Sequence, residues 1–260
     1  MKVIFVAFSE NSLGRRILNG LIEQGDTPEI VFMASESAFK KFRKNGIKRY
    51  IKLHGYLNLL WRIYYRLTLR KDVKIDSLAS DANLKISIRE KCKNANIPLG
   101  FFDNINNEDF VSVLKSHNPD LIVLGGAPLI KEKVINLPRI GVLNSHPGIL
   151  PHAKGMDVVA HSIINDIPLG VSVFKVDAGV DSGPILLIRY LKQSIVGKKL
   201  HEIESMVEEL ASESMLEAVR NVKSGNYHFE PQNSDGHLFR ALNYLTYRKV
   251  LKKLIDGNNS

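Results

Sequence analysis

Two short apolar runs enclose an amphipathic stretch at the start of the chain. Lys2–Phe8 and Pro28–Ala34 are apolar enough to be buried strands, and Gly25 ends the stretch Asn11–Glu23 that separates them. Within that stretch the apolar residues recur at helical spacing, namely Leu13, Ile17, Leu18 and Leu21. A strand, a helix and a strand in this order predict two parallel strands joined by a helical crossover. The opening therefore predicts an α/β fold on a mostly parallel sheet.

The same alternation of apolar runs and amphipathic stretches continues to about residue 225. The predicted strands are Pro98–Phe102, Asp120–Leu124, Val142–Asn144 and a pair across a tight loop, Leu169–Lys175 and Ile185–Leu191. The predicted helices are Ile86–Asn94, Asp109–Ser116 and a long one marked by Ile203, Met206, Val207 and Leu210 and ended by Gly225. Folds of this kind bind ligands at the carboxyl ends of parallel strands. Gly125 and Gly126, which follow an apolar strand, therefore indicate a ligand-binding edge.

Length and cysteine content limit the domain organisation and the compartment. The 260 residues, of which 44% are hydrophobic, suit one domain with a small appendage. We expect a core of residues 1–225, with a basic helical insertion at about 40–74, and a basic helical tail at 226–260. The single cysteine, Cys92, excludes an internal disulfide and a cysteine-based metal site, and a reducing cytoplasm fits it best. The apolar run Val3–Phe8 is too short for a membrane span or a signal sequence.

The positive charge of the chain is concentrated in one segment. Residues 40–74 hold twelve Lys or Arg against one acid, Asp72, whereas the whole chain has a net charge of +9. Arg62, Arg66 and Arg70 are spaced by four residues on a predicted helix. Beside them lies an apolar set made of Leu59, Leu60, Ile63, Tyr64 and Leu67. The pattern fits a core-facing helix with a solvated basic face, or a surface helix that contacts anionic lipid or RNA.

Two loops carry the residues that point to chemistry. Asn144 and His146 stand two residues apart where a strand enters a loop rich in proline and glycine, so their side chains emerge on the same face. The second loop, Asp177–Pro184, places the carboxylates of Asp177 and Asp181 among glycines. An ordinary structural interpretation is also open, in which Asn144 caps a turn, His146 is a satisfied loop histidine and an aspartate closes an Asx-turn.

An amide, an imidazole and a carboxylate together suit the attack of a neutral amine on an acyl carbon. Asn144 would donate a hydrogen bond to the oxygen on which negative charge develops. His146 would stabilise that charge and help to move protons. Asp181 would orient His146, raise its basicity and accept the proton of the amine. The three residues thus form a candidate catalytic centre for one-carbon acyl transfer.

The two loops resemble the signature of the folate-dependent formyltransferases. The matching residues are Asn144-Ser145-His146, Leu150-Pro151, Lys154-Gly155 and the loop Asp177–Pro184 with its glycines, and the order of elements matches over about residues 1–225. The resemblance implies a Rossmann-like, mostly parallel sheet with flanking helices and a short C-terminal helical extension. It also implies N10-formyltetrahydrofolate as formyl donor and Asn144, His146 and Asp181 as catalytic residues. By the same resemblance the pterin would contact two backbone stretches, formed by Gly126, Ala127, Pro128, Leu129 and Ile130 and by Asp177, Gly179 and Val180.

The acceptor of the formyl group is less constrained, because members of this family differ in it. Members that act on glycinamide ribonucleotide carry a Gly-Ser-Asn phosphate loop after the first strand, where this chain has Ser9, Glu10 and Asn11. Since a carboxylate near a phosphate is unfavourable, Glu10 argues against that acceptor. The stretch also lacks a Gly-x-Gly-x-x-Gly fingerprint, so a nicotinamide dehydrogenase is not indicated.

Members that act on initiator methionyl-tRNA carry a long C-terminal β-barrel domain. Residues 226–260 instead predict one basic amphipathic helix. Its apolar residues are Leu238, Leu242 and Leu245, and its basic residues are Arg240, Arg248, Lys249, Lys252 and Lys253. The basic segment 40–74 keeps an RNA acceptor open, because clustered Lys and Arg neutralise phosphates without reading sequence.

The remaining group formylates amino-sugars attached to a nucleoside diphosphate, for surface polysaccharides, and we favour this acceptor. It would be flanked by six residues, namely Ser9, Pro151, Lys154, Gly155, Met156 and Asp157. The oligomeric state is open, with a homodimer considered.

Two other classes of function compete with formyl transfer. A metal-dependent hydrolase would use His146, His152, Asp157 and His161, and a non-catalytic module would bind a nucleotide-sugar or RNA without turnover.

Overall fold

A computed structural model describes residues 1–65, 67, 82–126, 128–233 and 236–256. Within these residues seven strands form one sheet in the order β3-β2-β1-β4-β5-β7-β8. Their bounds are Val3–Ala7 (β1), Ile30–Ala34 (β2), Leu99–Phe102 (β3), Leu121–Leu124 (β4), Gly141–His146 (β5), Gly170–Lys175 (β7) and Ile185–Tyr190 (β8). The first five strands in this order pair in parallel, whereas β7 is antiparallel to β5 and to β8. The predicted mostly parallel α/β sheet is confirmed.

Helices cover both faces of the sheet. They span Ser12–Glu23 (α1), Glu36–Tyr64 (α2), Ala82–Lys85 (α3), Ile88–Asn94 (α4), Glu108–His117 (α5), Glu132–Ile135 (α6), Val158–Ile164 (α7), Leu200–Lys223 (α8) and Tyr244–Asp256 (α9). Phe5 and Leu18 belong to a core cluster shared with α8 on one face, and Ile4 and Phe110 belong to a cluster with α5 on the other. Alternate residues of β1 thus point into opposite cores, as the pleat of a strand requires.

The turn after β1 begins α1 and also fixes the start of α4. The side chain of Asn11 accepts a hydrogen bond from the Gly14 amide at 2.7 Å and so caps α1. The carboxylate of Glu10 accepts from the Ile88 amide at 2.7 Å and pairs with Arg15 at 3.3 Å. A negative charge is favourable at a helix N-terminus, where amide groups lack partners. Glu10 therefore has a structural partner in α4.

Helix α2 occupies most of the predicted basic insertion. Residues 40–49 are exposed on every side, and Gly55, at φ 80° and ψ 169°, interrupts the helix. Beyond the interruption Arg62 turns toward the body, whereas Leu60 and Ile63 are exposed. The stretch thus has the expected solvated basic residues, but of the apolar set expected to face the core Leu60 and Ile63 are exposed, and Trp61 packs on the core instead. Residues 66 and 68–74 lie outside the described residues.

The C-terminal segment differs from the single helix that the sequence predicts. His237–Phe239 (β9) pairs in parallel with Ala153–Gly155 (β6), and α9 follows it. The interior of α9 packs on α7, with Val250 fully buried. Leu238 therefore belongs to a strand, because a partner about eighty residues earlier in the chain fixes its conformation. Among the helices of the described ranges, none is both long and apolar enough to cross a membrane.

Candidate active site

Strand β5 carries two of the candidate catalytic residues to the carboxyl edge of the sheet. Asn144 lies opposite Phe174 of the antiparallel strand β7, and His146 lies opposite Ser172. Since residues i and i+2 of a strand share a face, both side chains stand on the same side of the sheet. The hydroxyl of Ser172 donates to the Gly148 carbonyl at 2.9 Å and accepts from the Leu150 amide at 2.9 Å, so it fixes the loop that leaves β5.

The imidazole of His146 is buried between two acceptors. Its side chain is 5% exposed, its Nε2–H donates to the Ala153 carbonyl at 2.7 Å, and its Nδ1 lies 3.6 Å from Oδ2 of Asp181. Burial lowers the pKa of His146 below 6.5, and this effect exceeds the opposing effects of the Asp181 charge and of the Ala153 carbonyl. The charge of Asp181 raises the pKa of His146, as expected, but burial lowers that pKa by more, so the net pKa is below its usual value. The ring is neutral at neutral pH.

Asp181 reaches His146 because the loop between β7 and β8 folds back over β5. The residue adopts a left-handed conformation, with φ 50°, which aspartate tolerates better than most residues. Its Oδ2 accepts a hydrogen bond from the Gly155 amide at 2.8 Å. A Cβ atom at Gly183 would lie 1.8 Å from the Lys175 carbonyl oxygen, so the close return of the loop requires glycine. The structure thus brings His146, Asp181 and Gly155 together.

Gln232 is a neighbour of this loop that the sequence did not indicate. Its Nε2 donates to the carbonyl oxygens of Asp181 at 3.1 Å and of Gly183 at 2.7 Å. Gln232 lies far from the loop in sequence and belongs to no recognisable motif, so only the folded chain reveals the contact. The Ala153 carbonyl was missed for a related reason, because a backbone acceptor leaves no trace in residue type.

The other polar side chains differ in how far they are engaged. The Asp177 carboxylate accepts from the Gly179 amide at 3.1 Å and from the Ser182 hydroxyl at 2.7 Å, which is the Asx-turn of the structural interpretation. Within the described ranges nothing is hydrogen-bonded to the side chain of half-buried Asn144. The amide of Asn144 is therefore available to a ligand.

The loop assigned to the acceptor contains an exposed residue and others that are buried or hydrogen-bonded. Met156 is exposed, and the Gly155 amide is bound by Asp181. Lys154 is buried in β6. The Asp157 carboxylate accepts from the Leu242 amide at 2.6 Å and pairs with Arg62 at 3.5 Å. Asp157 therefore connects this loop to the C-terminal segment and to α2.

The stretch expected to contact the pterin lies beside the turn after β1. The Phe8 amide donates to the Gly126 carbonyl at 3.0 Å, and the Asn11 side chain donates to the Ser9 and Gly125 carbonyls. Ser9 therefore lies in the turn that contacts this stretch. The side chains of the stretch differ in exposure, in that Pro128 is half-buried, Leu129 is exposed and Ile130 is in the core. Ala127 lies outside the described residues.

The residues weighed for a metal-dependent hydrolase are used differently. Nε2 of His161 lies 2.9 Å from the Arg240 carbonyl, and its ring stacks on Phe239 at 4.4 Å between centroids. In the part of the chain that the structure describes, no group of three or more His, Cys, Asp or Glu is placed to hold a metal ion.

The two loops that carry the candidate catalytic residues fall within the region matched by a family model. The model described as formyl transferase matches residues 77–219, more than half of the chain. This chain belongs to the formyl transferase family. The match includes β5 and the loop that carries Asp181, so the resemblance inferred from these loops is confirmed at the level of the family.

Curated relatives in this family are methionyl-tRNA formyltransferases. The protein from Thermotoga maritima is 29% identical over 153 residues, which cover 58% of this chain and 46% of the relative. The protein from Legionella pneumophila strain Paris is 28% identical over 152 residues, which cover 57% of this chain and 48% of the relative. This chain thus spans about half the length of the curated relatives that it matches.

Solved structures of formyltransferases share the fold. A sugar N-formyltransferase from a Shewanella species has a TM-score of 0.59 at 15% identity, covering 98% of this chain and 88% of its own. Phosphoribosylglycinamide formyltransferase from Streptococcus pneumoniae has a TM-score of 0.56 at 16% identity, covering 85% and 98%. A formyltransferase from Anoxybacillus kamchatkensis, in complex with a UDP-linked 4-formamido sugar and tetrahydrofolate, has a TM-score of 0.52 at 20% identity, covering 66% and 93%. At these identities the likeness establishes the fold.

Proposed function

We propose that this protein transfers the formyl group of N10-formyltetrahydrofolate to the amine of a nucleotide-linked amino-sugar. The observation that carries the proposal is that His146 Nδ1 lies 3.6 Å from the Asp181 carboxylate, while Asn144 lies two residues before His146 on the same face of β5. An amide donor and a proton acceptor on one edge of a parallel sheet suit acyl transfer to an amine.

The residues around this edge fit a folate donor. Leu129 and Val180 are exposed apolar side chains in the loops that follow β4 and β7, and they suit the flat faces of a pterin. The backbone of Asp177, Gly179 and Val180 would hold its polar edge. When bound, N10-formyltetrahydrofolate supplies the formyl group, and its N10 nitrogen takes a proton as the group leaves.

The amide of Asn144 would stabilise the charge that develops on the formyl oxygen. Its nitrogen is a donor on the same face of β5 as His146, and it is half-buried, so that little water would compete for its hydrogen bond. A donor that already points to the place where negative charge develops costs no reorganisation during the reaction.

Asp181 and His146 would take the proton that the amine loses when its nitrogen bonds to the formyl carbon. The neutral imidazole donates through Nε2 to the Ala153 carbonyl, which leaves the Nδ1 lone pair facing Asp181. Asp181 would take the proton first, because its side chain is 15% exposed, against 5% for His146, and is therefore more accessible to the incoming amine. Nδ1 of His146 is then a second acceptor within reach of the same carboxylate.

The nucleotide-linked amino-sugar is supported by two observations. The sugar N-formyltransferase fold extends over 98% of this chain, and exposed Met156 stands beside the site in the loop assigned to the acceptor. Glu10, which pairs with Arg15 and with the start of α4, would oppose a phosphate after β1. Methionyl-tRNA is the second candidate, because the curated relatives act on it by name at 29% identity.

The test is mass spectrometry of candidate amines incubated with protein and N10-formyltetrahydrofolate. The panel contains nucleotide-linked amino-sugars, glycinamide ribonucleotide and methionyl-tRNA. We expect one of the amino-sugars to gain a single formyl group. Formylation of methionyl-tRNA alone would establish the second candidate, and absence of formylation across the panel would overturn both.

A matched pair of histidine variants links any activity to the site. His146→Gln should abolish formyl transfer, since it removes the imidazole next to Asp181. His152→Gln should leave it unchanged, because His152 is an exposed residue of the same loop. Equal activity of the two variants would refute the assignment of His146.

A further inference from the structure

Residues 40–64, here called the basic arm, form the larger part of α2. They contain eight Lys or Arg and no acidic residue. Lys40, Lys44, Lys48 and Lys52 recur at every fourth position, and all are exposed. Residues four apart are neighbours on a helix, so these ammonium groups line one side of it. The arm therefore presents a row of positive charge to solvent.

The second half of the arm is attached to the body by Trp61, which packs on Tyr247 of α9, and by polar side chains. Nη1 of Arg62 lies 3.3 Å from the Leu242 carbonyl and 3.5 Å from the Asp157 carboxylate, and its guanidinium lies over the ring of Tyr50. The Asn58 side chain accepts from the Tyr244 amide at 3.0 Å. These contacts fix which face of the helix is turned inward.

The outward face of the same half is apolar. Tyr56, Leu57, Leu60 and Ile63 are exposed to 71%, 81%, 62% and 45%. Their spacing of one, three and three residues places them on a single stripe of the helix. A soluble helix ordinarily turns such a stripe to the core, whereas here the side toward the body carries Arg62, Asn58 and Trp61. An exposed apolar stripe in the same arm as a row of exposed lysines indicates a binding surface.

We propose that the basic arm binds the surface of a membrane that contains anionic lipid, with the apolar stripe in the boundary between headgroups and acyl chains. Lysines attract anionic headgroups, and exposed Leu, Ile and Tyr gain free energy when they leave water. A phosphate backbone would satisfy the lysines but would leave Leu57, Leu60 and Ile63 in water, so lipid suits the surface better than RNA. The ion pair of Arg62 with Asp157 would hold the acceptor loop beside the membrane.

Co-sedimentation with vesicles tests this proposal independently of the formyl transfer. The full chain is mixed with vesicles of phosphatidylcholine, with or without phosphatidylglycerol, at low and at high salt. We expect binding only when phosphatidylglycerol is present, and weaker binding at high salt. The variants Leu57→Glu/Leu60→Glu and Lys44→Glu/Lys48→Glu should each lower the partition coefficient by at least about tenfold.

Matched variants control for general effects of charge. Val196→Glu replaces an apolar residue that is 65% exposed on another surface, and Lys115→Glu/Lys192→Glu removes two exposed lysines outside the arm. These controls should bind vesicles as the unchanged chain does, and circular dichroism should show all variants folded. Equal loss in the controls would overturn the proposal.

Other occupants of the stripe give different outcomes. If a second copy of the chain covers it, sedimentation equilibrium will show a dimer that Leu57→Glu/Leu60→Glu dissociates, and vesicles will not bind. If RNA is the partner, a mixed RNA sample will bind in a salt-dependent manner that Lys44→Glu/Lys48→Glu weakens, again without vesicle binding. Either result would refute the membrane proposal.

Discussion

At the scale of single residues, burial determines the protonation of His146. Only a carbonyl and a carboxylate face its two nitrogens, and both would favour a proton. The loss of hydration outweighs them, so the pKa lies below its usual range. A neutral imidazole next to a carboxylate is ready to receive a proton, as the proposed attack by an amine requires.

The lowered pKa of His146 should make stability depend on pH. In the unfolded chain the imidazole takes up a proton near pH 6.5, whereas the folded chain resists protonation until the pH falls further. The unfolded state then binds more protons, so the free energy of unfolding should fall as the pH drops below about 6.5. Urea unfolding across this range will measure it. His146→Gln should reduce the slope, and exposed His152→Gln should not.

Asp181→Asn should lower kcat by about 10²- to 10⁴-fold, because the amide cannot accept the proton of the amine. Stability should change little, since the Asn oxygen can still accept the hydrogen bond from the Gly155 amide. Steady-state kinetics with the acceptor found in the panel will separate kcat from KM. Asp177→Asn is the matched variant in the same loop and should affect mainly KM for the folate. A kcat effect as large for Asp177→Asn would contradict the proposed role of Asp181.

The sequence predicted those parts of the site in which the residues are close together in the chain. Asn144 and His146 could be paired from the sequence, because a strand places residues i and i+2 on one face. The contacts of Asp157 with Arg62 and Leu242 could not be predicted, because these residues lie 95 residues before it and 85 residues after it in the chain. The balance between burial and charge at His146 also depends on packing that residue types do not specify.

At the scale of elements, the loop between β7 and β8 is supported from outside its own strands. Its backbone carbonyls at Asp181 and Gly183 accept two hydrogen bonds from the side-chain amide nitrogen of Gln232. A loop held by such contacts keeps its carboxylate in position before substrate arrives, and positioning of this kind contributes strongly to rate.

Gln232→Ala should therefore lower kcat by about tenfold or more, while it costs about 1 kcal/mol of stability for the lost hydrogen bonds. Kinetics and urea unfolding of the same preparation will separate the two effects. Gln193→Ala, at an exposed glutamine, is the matched control and should change neither. A loss of stability with kcat intact would show that Gln232 only supports the fold.

The sequence predicted the buried elements and failed where a distant partner decides the structure. The strand Leu121–Leu124 and the helix Ser12–Glu23 follow from apolar periodicity, with boundaries that shift by one or two residues. The strand His237–Phe239 was predicted as helix because its partner Ala153–Gly155 is remote in sequence. In the basic arm, apolar periodicity grouped Leu60 and Ile63 correctly, but both are exposed, because Arg62 and Trp61 contact the body instead.

At the scale of the whole molecule, the aromatic cluster around Trp61 joins α2 to the helices of the body. Trp61 lies 5.7 Å from Tyr65 and 5.2 Å from Tyr247 of α9, measured between ring centroids. The cluster continues through Val250 into the core formed by α7 and α8. Because Trp61 is the only tryptophan, its fluorescence reports on this junction alone.

We expect urea unfolding followed by Trp61 fluorescence and by far-ultraviolet circular dichroism to give the same midpoint, since the core clusters pack on one sheet and should unfold together. Val250→Ala, which shortens a fully buried side chain, should lower the free energy of unfolding by about 2 kcal/mol, by the same amount with both probes. Val196→Ala, at an exposed position, should not change it. A fluorescence change that precedes the loss of helix would contradict a single cooperative unit.

The parallel pairing of β6 with β9 has a consequence for the order in which the site is assembled on the ribosome. Gly236, at φ 55°, comes so near the Pro151 carbonyl that no side chain would fit there. Ala153, whose carbonyl holds His146, pairs with His237. About eighty further residues must be translated before this pairing partner leaves the exit tunnel. A nascent chain can thus build the central parallel strands early, whereas the surroundings of His146, the proposed catalytic histidine, are completed only by a late segment of the polypeptide.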